Sequence, residues 1–395
     1  MRPRAARGRR WTGPGPRFMS PAAAVSPAVE VYARNPGVML LGPGRSAVSG
    51  VATHLNQLFE SDLSRQFRLS QFQVGREGRS ESSAAMVART FISPFAFAVC
   101  LLRSRPQIVH INTSFEPKGY WRDIVYLGVA KALGRKVVYQ VHGGAMPAEF
   151  FGGNRALTAL LRRILGWADV VVLLAHSEMA AYSAFAPLAR LTRIANAVSL
   201  SEVDLSPARY LKRGPLEIVY VGRLAANKGI FESIEAMRIL RVRGVDARLT
   251  LAGSGDAAAA ARQTVQAAGL SDRVRVLPPV FATDKQRLWQ QAHVFVFPTY
   301  HREGLPYALL EAMACGAVPV TSTVGAIPDV MQHEVHGLFV PAHEPQAVAA
   351  ALQRLANDRP LLHRLAVAAH ERVVDHYSIA RLAQEFASVY AKLAN

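Results

Sequence analysis

The chain has 395 residues and a mass of 42.9 kDa, enough for two domains with separate cores. Half of its residues are hydrophobic and 19% are charged, which excludes a wholly disordered chain. Lys and Arg exceed Asp and Glu by 18, so a negatively charged partner is expected: nucleic acid, an anionic membrane or a phosphorylated small molecule. The two cysteines, Cys100 and Cys315, exclude a disulfide framework and cannot form a zinc site by themselves. A reducing, cytoplasmic setting fits this count, and the inner face of the cell membrane would supply an anionic surface.

Met1–Arg17 holds six arginines, no acid and no apolar h-region, so it is not a secretory signal. Residues 1–35 read as a basic, disordered tail, or as an over-long start with the initiator at Met19; the functional alternative is a basic arm on phospholipid or nucleic acid. From residue 36 onward, short apolar runs alternate with helical patterns, the mark of parallel sheets with crossover helices. The expected strands of the first half are Val38–Leu41, Ser70–Val74, Ile108–Asn112, Lys136–Val141 and Val170–Leu174, with helices over Gly50–Phe59, Tyr120–Leu133 and Asn154–Trp167. Phe91–Leu102 is the most apolar run, but it is about a dozen residues long and contains Pro94. No window reaches the roughly 18 apolar residues that span a bilayer, so it reads as a buried or interfacial helix of a soluble or peripheral protein.

Ser201–Pro215 is polar and broken by two prolines and a glycine, as a linker would be. A second strand series follows: Glu217–Val221, Arg248–Ala252, Arg275–Leu277, Val294–Pro298, Val318–Thr321 and Leu338–Val340. Its expected helices are Phe231–Arg243, Asp256–Ala268, Lys285–Gln291 and Pro306–Cys315, and the last fifty residues are helical with a break near Asp358–Pro360. The expected division is a Rossmann-like domain over 36–205, a second over 206–375, and a C-terminal helix over 376–395 packing back on the first. Ligands of such sheets sit beyond the carboxyl ends of the strands, so the strand–loop–helix junctions carry most weight.

Leu40-Leu41-Gly42-Pro43-Gly44 with Ser49-Gly50-Val51 forms the first junction. Glycine admits a tight turn and a helix N-terminus favours anions, but the spacing is not that of a dinucleotide fingerprint, and a plain turn explains it as well. Val141-His142-Gly143-Gly144 puts a histidine at a strand end, where imidazole could exchange a proton near neutrality; a structural role is the ordinary alternative. In the second half, Val219-Tyr220-Val221-Gly222-Arg223-Leu224 runs off a strand and Lys228-Gly229 begins the next helix; two cations five residues apart, each with a glycine, suit a diphosphate clamp in which Arg would give forked donors and Lys a point charge. Leu251-Ala252-Gly253-Ser254-Gly255-Asp256 is a further glycine loop in the same half.

The most informative stretch is Glu303-Gly304-Leu305-Pro306, with Glu311 eight residues on. Pro306 suits a first helical turn, placing Glu303 and the amides of Gly304 and Leu305 at the positive helix end. Glu311 lies among Leu309, Leu310, Ala312 and Met313, where a carboxylate is costly without a partner. Ribose hydroxyls would supply one, with Glu303 meeting a sugar; ordinary salt bridges are the alternative for both. Thr323-Val324-Gly325-Ala326 could add backbone donors to phosphate.

At these residues the sequence resembles glycosyltransferase family 4, retaining enzymes of the GT-B fold that use nucleotide sugars. The resemblance runs from about Val38 to the C-terminus and rests on the Glu-x7-Glu spacing from Glu303 to Glu311, with "VGRLAANKG", "LAGSGD" and "HGLFVP". It implies an α/β fold of two Rossmann-like domains with parallel sheets facing across a cleft, followed by C-terminal helices. It implies that Arg223 and Lys228 bind the donor diphosphate, that Glu311 holds the ribose, and that Glu303 contacts the donor sugar. Gly50, Gly253, Gly304 and Leu305 would line the donor, and His142 would sit beside the transferred sugar. A UDP- or GDP-linked donor, a glycan or polyprenyl-linked acceptor, contact with an anionic membrane and no metal or other cofactor complete the expectation; the chain has no Asp-x-Asp. Two departures stand out: Asn196-Ala197-Val198 replaces the usual Asn-Gly-Val, and Asp329 stands where Glu is common.

The leading expectation is a retaining glycosyltransferase of surface polysaccharide biosynthesis. A GT-B-type nucleotide-sugar epimerase would keep the donor site but need additional acid/base groups. A nucleic-acid-binding protein would explain the charge, but zinc-knuckle, RNP-type and helix-turn-helix signatures are all missing, so no nucleic-acid partner is expected.

Overall fold

The computed structural model describes residues 35–395 apart from Ser201 and Arg213; the tail expected over residues 1–35 therefore lies, but for its last residue, outside the described residues. The first half runs β1 (Gly37–Gly42), α1 (Gly50–Glu60), α2 (Leu63–Gln66), β2 (Arg68–Gln73), α3 (Ser83–Ser104), β3 (Ile108–Phe115), α4 (Pro117–Ala132), β4 (Lys136–Gly144), α5 (Arg155–Trp167), β5 (Val170–Leu173), α6 (His176–Phe185) and β6 (Leu191–Arg193). Its six strands form one parallel sheet in the order β2-β1-β3-β4-β5-β6.

The second half runs α7 (Pro207–Leu211), β7 (Leu216–Val221), a 3-10 turn at Ala226–Lys228, α8 (Ile230–Val242), β8 (Ala247–Ala252), α9 (Ala258–Ala267), β9 (Val274–Leu277), α10 (Ala282–Gln291), β10 (Val294–Phe297), α11 (Tyr307–Ala314), β11 (Val318–Thr321), α12 (Ile327–Val330), β12 (Leu338–Phe339), α13 (Pro345–Asn357), α14 (Arg359–His376) and α15 (Ile379–Ala394). Its parallel sheet has the order β12-β11-β10-β7-β8-β9. Strands such as Val38–Leu41 and Val294–Phe297 are apolar at every position because helices cover both faces of the sheet. Two such sheets with flanking helices make the GT-B fold.

The helix ends follow their capping chemistry. Asn154 accepts a hydrogen bond from the Leu157 amide at 3.1 Å to open α5, and Asp358 does the same for Leu361 at 2.9 Å to open α14. With Pro360 in the next turn, Asp358 explains the break after α13. Helix α15 carries the chain back to the first sheet, where Leu382, Phe386 and Tyr390 pack with Val38, Leu40, Ile108 and Val138. The chain thus passes between the domains twice, and the two passages are bonded to each other: the Val198 amide donates to Tyr377 O at 2.9 Å.

Three differences from the sequence reading have plain causes. Strand β6 is three half-buried residues at a sheet edge, Leu-Thr-Arg, too short and polar to register as a run. Pro306 is the N-cap of α11 rather than a member of its first turn. Helix α3 begins at Ser83, capped by Ser82, and reaches 22 residues, eight earlier than the apolar run. It is not buried: its mean hydropathy is 1.8 over an 18-residue window of which 17% is covered, long and apolar enough by composition to cross a membrane.

Candidate active site

The carboxyl ends of the two sheets face each other, and the loops that leave them meet. A cleft of about 340 Å³ between the domains is lined by Gly50 and His142 from the first domain and by Arg223, Lys228, Glu303, Gly304 and Leu305 from the second. Seven of the nine residues singled out from sequence therefore share one cavity. Gly253 and Glu311 are outside it.

Lys228 ends the 3-10 turn after β7, and Glu303 sits in the loop between β10 and α11. Their side chains are nearly buried and paired, with Lys228 Nζ 2.5 Å from Glu303 Oε1. Thr299 Oγ1 lies 3.2 Å from the same carboxylate oxygen. Arg223, exposed on the cleft wall, makes no carboxylate contact among the described residues. Its loop is held by Tyr220, whose buried hydroxyl donates to Arg223 O at 2.7 Å. Burial, and then the nearby Glu303 carboxylate, push that phenol far up from its ordinary range, so it remains a donor at any working pH.

His142 lies two residues before the end of β4 and lines the cleft. Its Nε2 lies 2.8 Å from Asn112 Oδ1, while Asn112 Nδ2 donates to Leu41 O at 3.0 Å. The amide is thereby turned with its oxygen toward the ring, so Nε2 carries the hydrogen and Nδ1 keeps its lone pair. Burial, followed by the neighbouring His54 and His110 rings, holds His142 well below the usual imidazole range. Burial thus favours the neutral ring, whose Nδ1 is left to accept, over the proton exchange near neutrality expected from the sequence. His301 is also lowered, first by burial and then by Lys228, and its Nδ1 lies 3.2 Å from Asn227 Nδ2.

Glycines let the domains touch. Gly143 has a φ of 101°, and a Cβ there would stand 3.1 Å from the Gly304 backbone; a Cβ on Gly304 would stand 2.9 Å from His142 O. Asn196 Nδ2 donates to Leu305 O at 2.8 Å, Arg302 pairs with Glu149 at 3.1 Å, and the His176 amide donates to the Asp329 carboxylate. Of the two departures from the family pattern, Asp329 is an interdomain feature, whereas the buried Ala197 accepts at its carbonyl from Gln57 Nε2 at 2.8 Å within the first domain; its neighbour Asn196, which keeps the pattern, bridges the halves.

Three expectations change. Glu311 already has protein partners, Lys285 Nζ at 2.6 Å and Trp289 Nε1 at 3.3 Å, so its apolar helix does not by itself require a ribose. Gly253 packs behind the clamp loop, where a Cβ would overlap Gly222 O at 1.8 Å; it shapes that loop rather than lining the cleft. The loop Thr323–Ala326 gives no free donor at Ala326, whose amide bonds Glu303 O at 3.2 Å, and Gly325 leaves room for that same carbonyl. Asn112, Thr299, Asn227 and Lys285 had no sequence signal, because each matters only through a partner distant in the chain or in an adjoining loop.

Comparison with known proteins fits this geometry. Residues 204–372 match the family model for glycosyl transferases group 1. The amylovoran biosynthesis glycosyltransferase AmsK of Erwinia amylovora is 28% identical over 348 residues, covering 82% of this chain and 78% of AmsK. A protein of Escherichia coli K12 named for colanic acid biosynthesis, WcaL, is 32% identical over 190 residues, 45% of this chain and 46% of WcaL. The chain thus spans about half the length of that relative and most of AmsK. Sucrose-phosphate synthase of Thermosynechococcus elongatus superposes with a TM-score of 0.74 at 19% identity, covering 91% of this chain and 99% of that one. Anabaena HepE, solved with UDP-glucose, superposes with a TM-score of 0.68 at 16% identity, covering 90% and 99%.

Proposed function

We propose that this chain of GT-B fold is a glycosyltransferase, a retaining, metal-independent enzyme of family 4 that moves a sugar from a nucleotide sugar to a glycan or polyprenyl-linked acceptor in polysaccharide biosynthesis. The carrying observation is the convergence of Arg223, Lys228 and Glu303 in one interdomain cleft that also presents His142 and backbone amides of a helix start. HepE, of the same fold, was solved with UDP and with UDP-glucose, which favours a uridine diphosphate donor here as well.

In this reading the donor diphosphate lies between Arg223 and Lys228, displacing the Lys228–Glu303 contact. The bond from the sugar's anomeric carbon to the diphosphate oxygen breaks, and the acceptor hydroxyl oxygen bonds to the same face of that carbon. Its proton passes to the departing diphosphate oxygen. The two cations stabilise the charge that develops on the diphosphate, which is the largest contribution preorganised groups make. Glu303, released from Lys228, is free to accept from sugar hydroxyls, and neutral His142 accepts at Nδ1. Glu311, fixed by Lys285 and Trp289, stands about one turn into α11, outside the lining of the cavity, and would meet the ribose at its edge.

Thermal-shift screening against UDP-, GDP-, ADP- and TDP-sugars tests the donor, because a ligand of the native state alone raises Tm. A UDP-sugar is expected to give the largest rise. Proton NMR of the product then tests stereochemistry: the donor's anomeric configuration should be kept, and an inverted product overturns the retaining assignment.

A further inference from the structure

Helix α3 has two apolar faces, and only one is used. Ser93, Phe97 and Leu101 face the first sheet's core, at four-residue spacing. On the opposite side Val87, Phe91, Ile92, Phe95, Val99 and Leu102 are open to solvent, with Phe91 72% and Phe95 76% exposed. The apolar surface continues over α4 at Trp121 and Val125 and over α5 at Leu160 and Trp167. Between α4, α5 and the loop after α6 it deepens into a groove of about 810 Å³ lined by Ile124, Leu160, Ile164, Trp167 and Leu188, the last 90% exposed. So large a contiguous apolar surface on one domain marks an interaction face.

The charge around it is one-sided. Residues 83–168 contain eleven Lys and Arg against three Asp and Glu. Of those acids, Asp123 is buried against Arg122 and Glu149 is turned to Arg302 across the cleft. Arg103, Arg105, Arg155 and Arg163 have no carboxylate within 4.0 Å among the described residues. Aromatic and aliphatic side chains on a face bordered by unpaired arginines match a bilayer interface, with hydrocarbon below and phosphate at the rim.

Spanning is excluded by topology. Strands β2 and β3 flank α3 in the chain and both pair with β1 in one sheet, so both ends of α3 remain on the same side. The helix lies along the surface it meets.

We propose that the face formed by α3, α4 and α5 docks on an anionic phospholipid bilayer, with α3 parallel to the membrane plane, the groove beside Trp167 taking a lipid chain, and Arg103, Arg105 and Arg163 on phosphates. This goes beyond the reading of the cleft and does not depend on it, since docking requires neither donor nor turnover.

The test is co-sedimentation of the full chain with vesicles of phosphatidylglycerol and phosphatidylethanolamine, against vesicles of phosphatidylcholine alone. Binding to the anionic vesicles is expected, fading as salt is raised. The double variant Phe91→Ser/Phe95→Ser should weaken it at least about tenfold, because two phenyl groups no longer leave water. Arg103→Glu/Arg163→Glu should remove the preference for anionic lipid. Tm should stay at the wild-type value in both, since all four side chains face solvent. Wild-type indifference to lipid charge, or undiminished binding by Phe91→Ser/Phe95→Ser, overturns the proposal; so does a dimer by light scattering that buries this face and binds no vesicle.

Discussion

Lys228 and Glu303 neutralise each other on the second domain's wall of the cleft, 2.5 Å apart and nearly shielded from water. Each comes from a different strand end of the second sheet, β7 and β10, which are neighbours in that sheet. In the proposed reaction the pair is exchanged for contacts to diphosphate and sugar, so in the free site each charge is balanced by the other.

Lys228→Met should lower kcat by about two to four orders of magnitude at saturating donor, as expected for a lost stabiliser of developing charge. It should also lower Tm, because Glu303 is left shielded and unpaired, and the double variant Lys228→Met/Glu303→Gln should recover part of that loss. Near wild-type turnover by Lys228→Met would remove it from the clamp.

Activity should survive excess EDTA, since Arg223 and Lys228 are assigned the charge stabilisation that a divalent ion supplies elsewhere. Loss of activity on chelation, restored by magnesium or manganese, would reassign the diphosphate site to a metal.

Acid should destabilise the first domain. His54 is fully buried between the His110 and His142 rings, and among the described residues neither of its ring nitrogens has a hydrogen-bond partner. Burial lowers His54 to about 4 and, with His54 adding to it, lowers His110 to about 3. A lowered base binds fewer protons folded than unfolded. Stability is therefore full above the unfolded value near 6.5 and declines as pH falls toward the folded values, by up to about 1.4 kcal/mol per pH unit for each ring. Urea midpoints at pH 7.5, 6 and 5 should fall in that order, and less steeply in His54→Leu; a flat series would mean these rings are charged or solvated in the folded protein.

Gly304→Ala should hold the domains apart, because the added methyl meets His142 O at 2.9 Å. We expect turnover to fall about tenfold or more while Tm changes little, the contact being between domains rather than within a core. Unchanged turnover in this variant would show that the reaction does not need that contact.

Much of the fold was legible because its central strands are buried on both faces and read as unbroken Val, Ile and Leu runs, while the expected glycines and cations fell on strand ends by register. What was hidden is instructive. The outward face of α3 could not be told from its inward one, since Phe91, Phe95 and Val99 alternate with Ser93, Phe97 and Leu101 on a helix without a polar side. Lys285 and Glu311 are 26 residues apart and their pairing depends on how α10 lies on α11. Asn112 acts on His142 from the adjacent strand, 30 residues earlier. Periodicity reports what a segment buries, not which distant side chain completes it.

The two passages of chain between the domains are tied at Val198 and Tyr377, and their bond has a mechanical meaning. A single linker would let the halves swivel in any direction; two strands fastened side by side behave as a door hinge and leave one easy axis. Any opening about that axis would carry Glu303 and Lys228 away from His142 together, because both belong to the second domain. Severing α15, whose Phe386 and Tyr390 anchor the second strand to the first sheet, would turn that hinge into a tether.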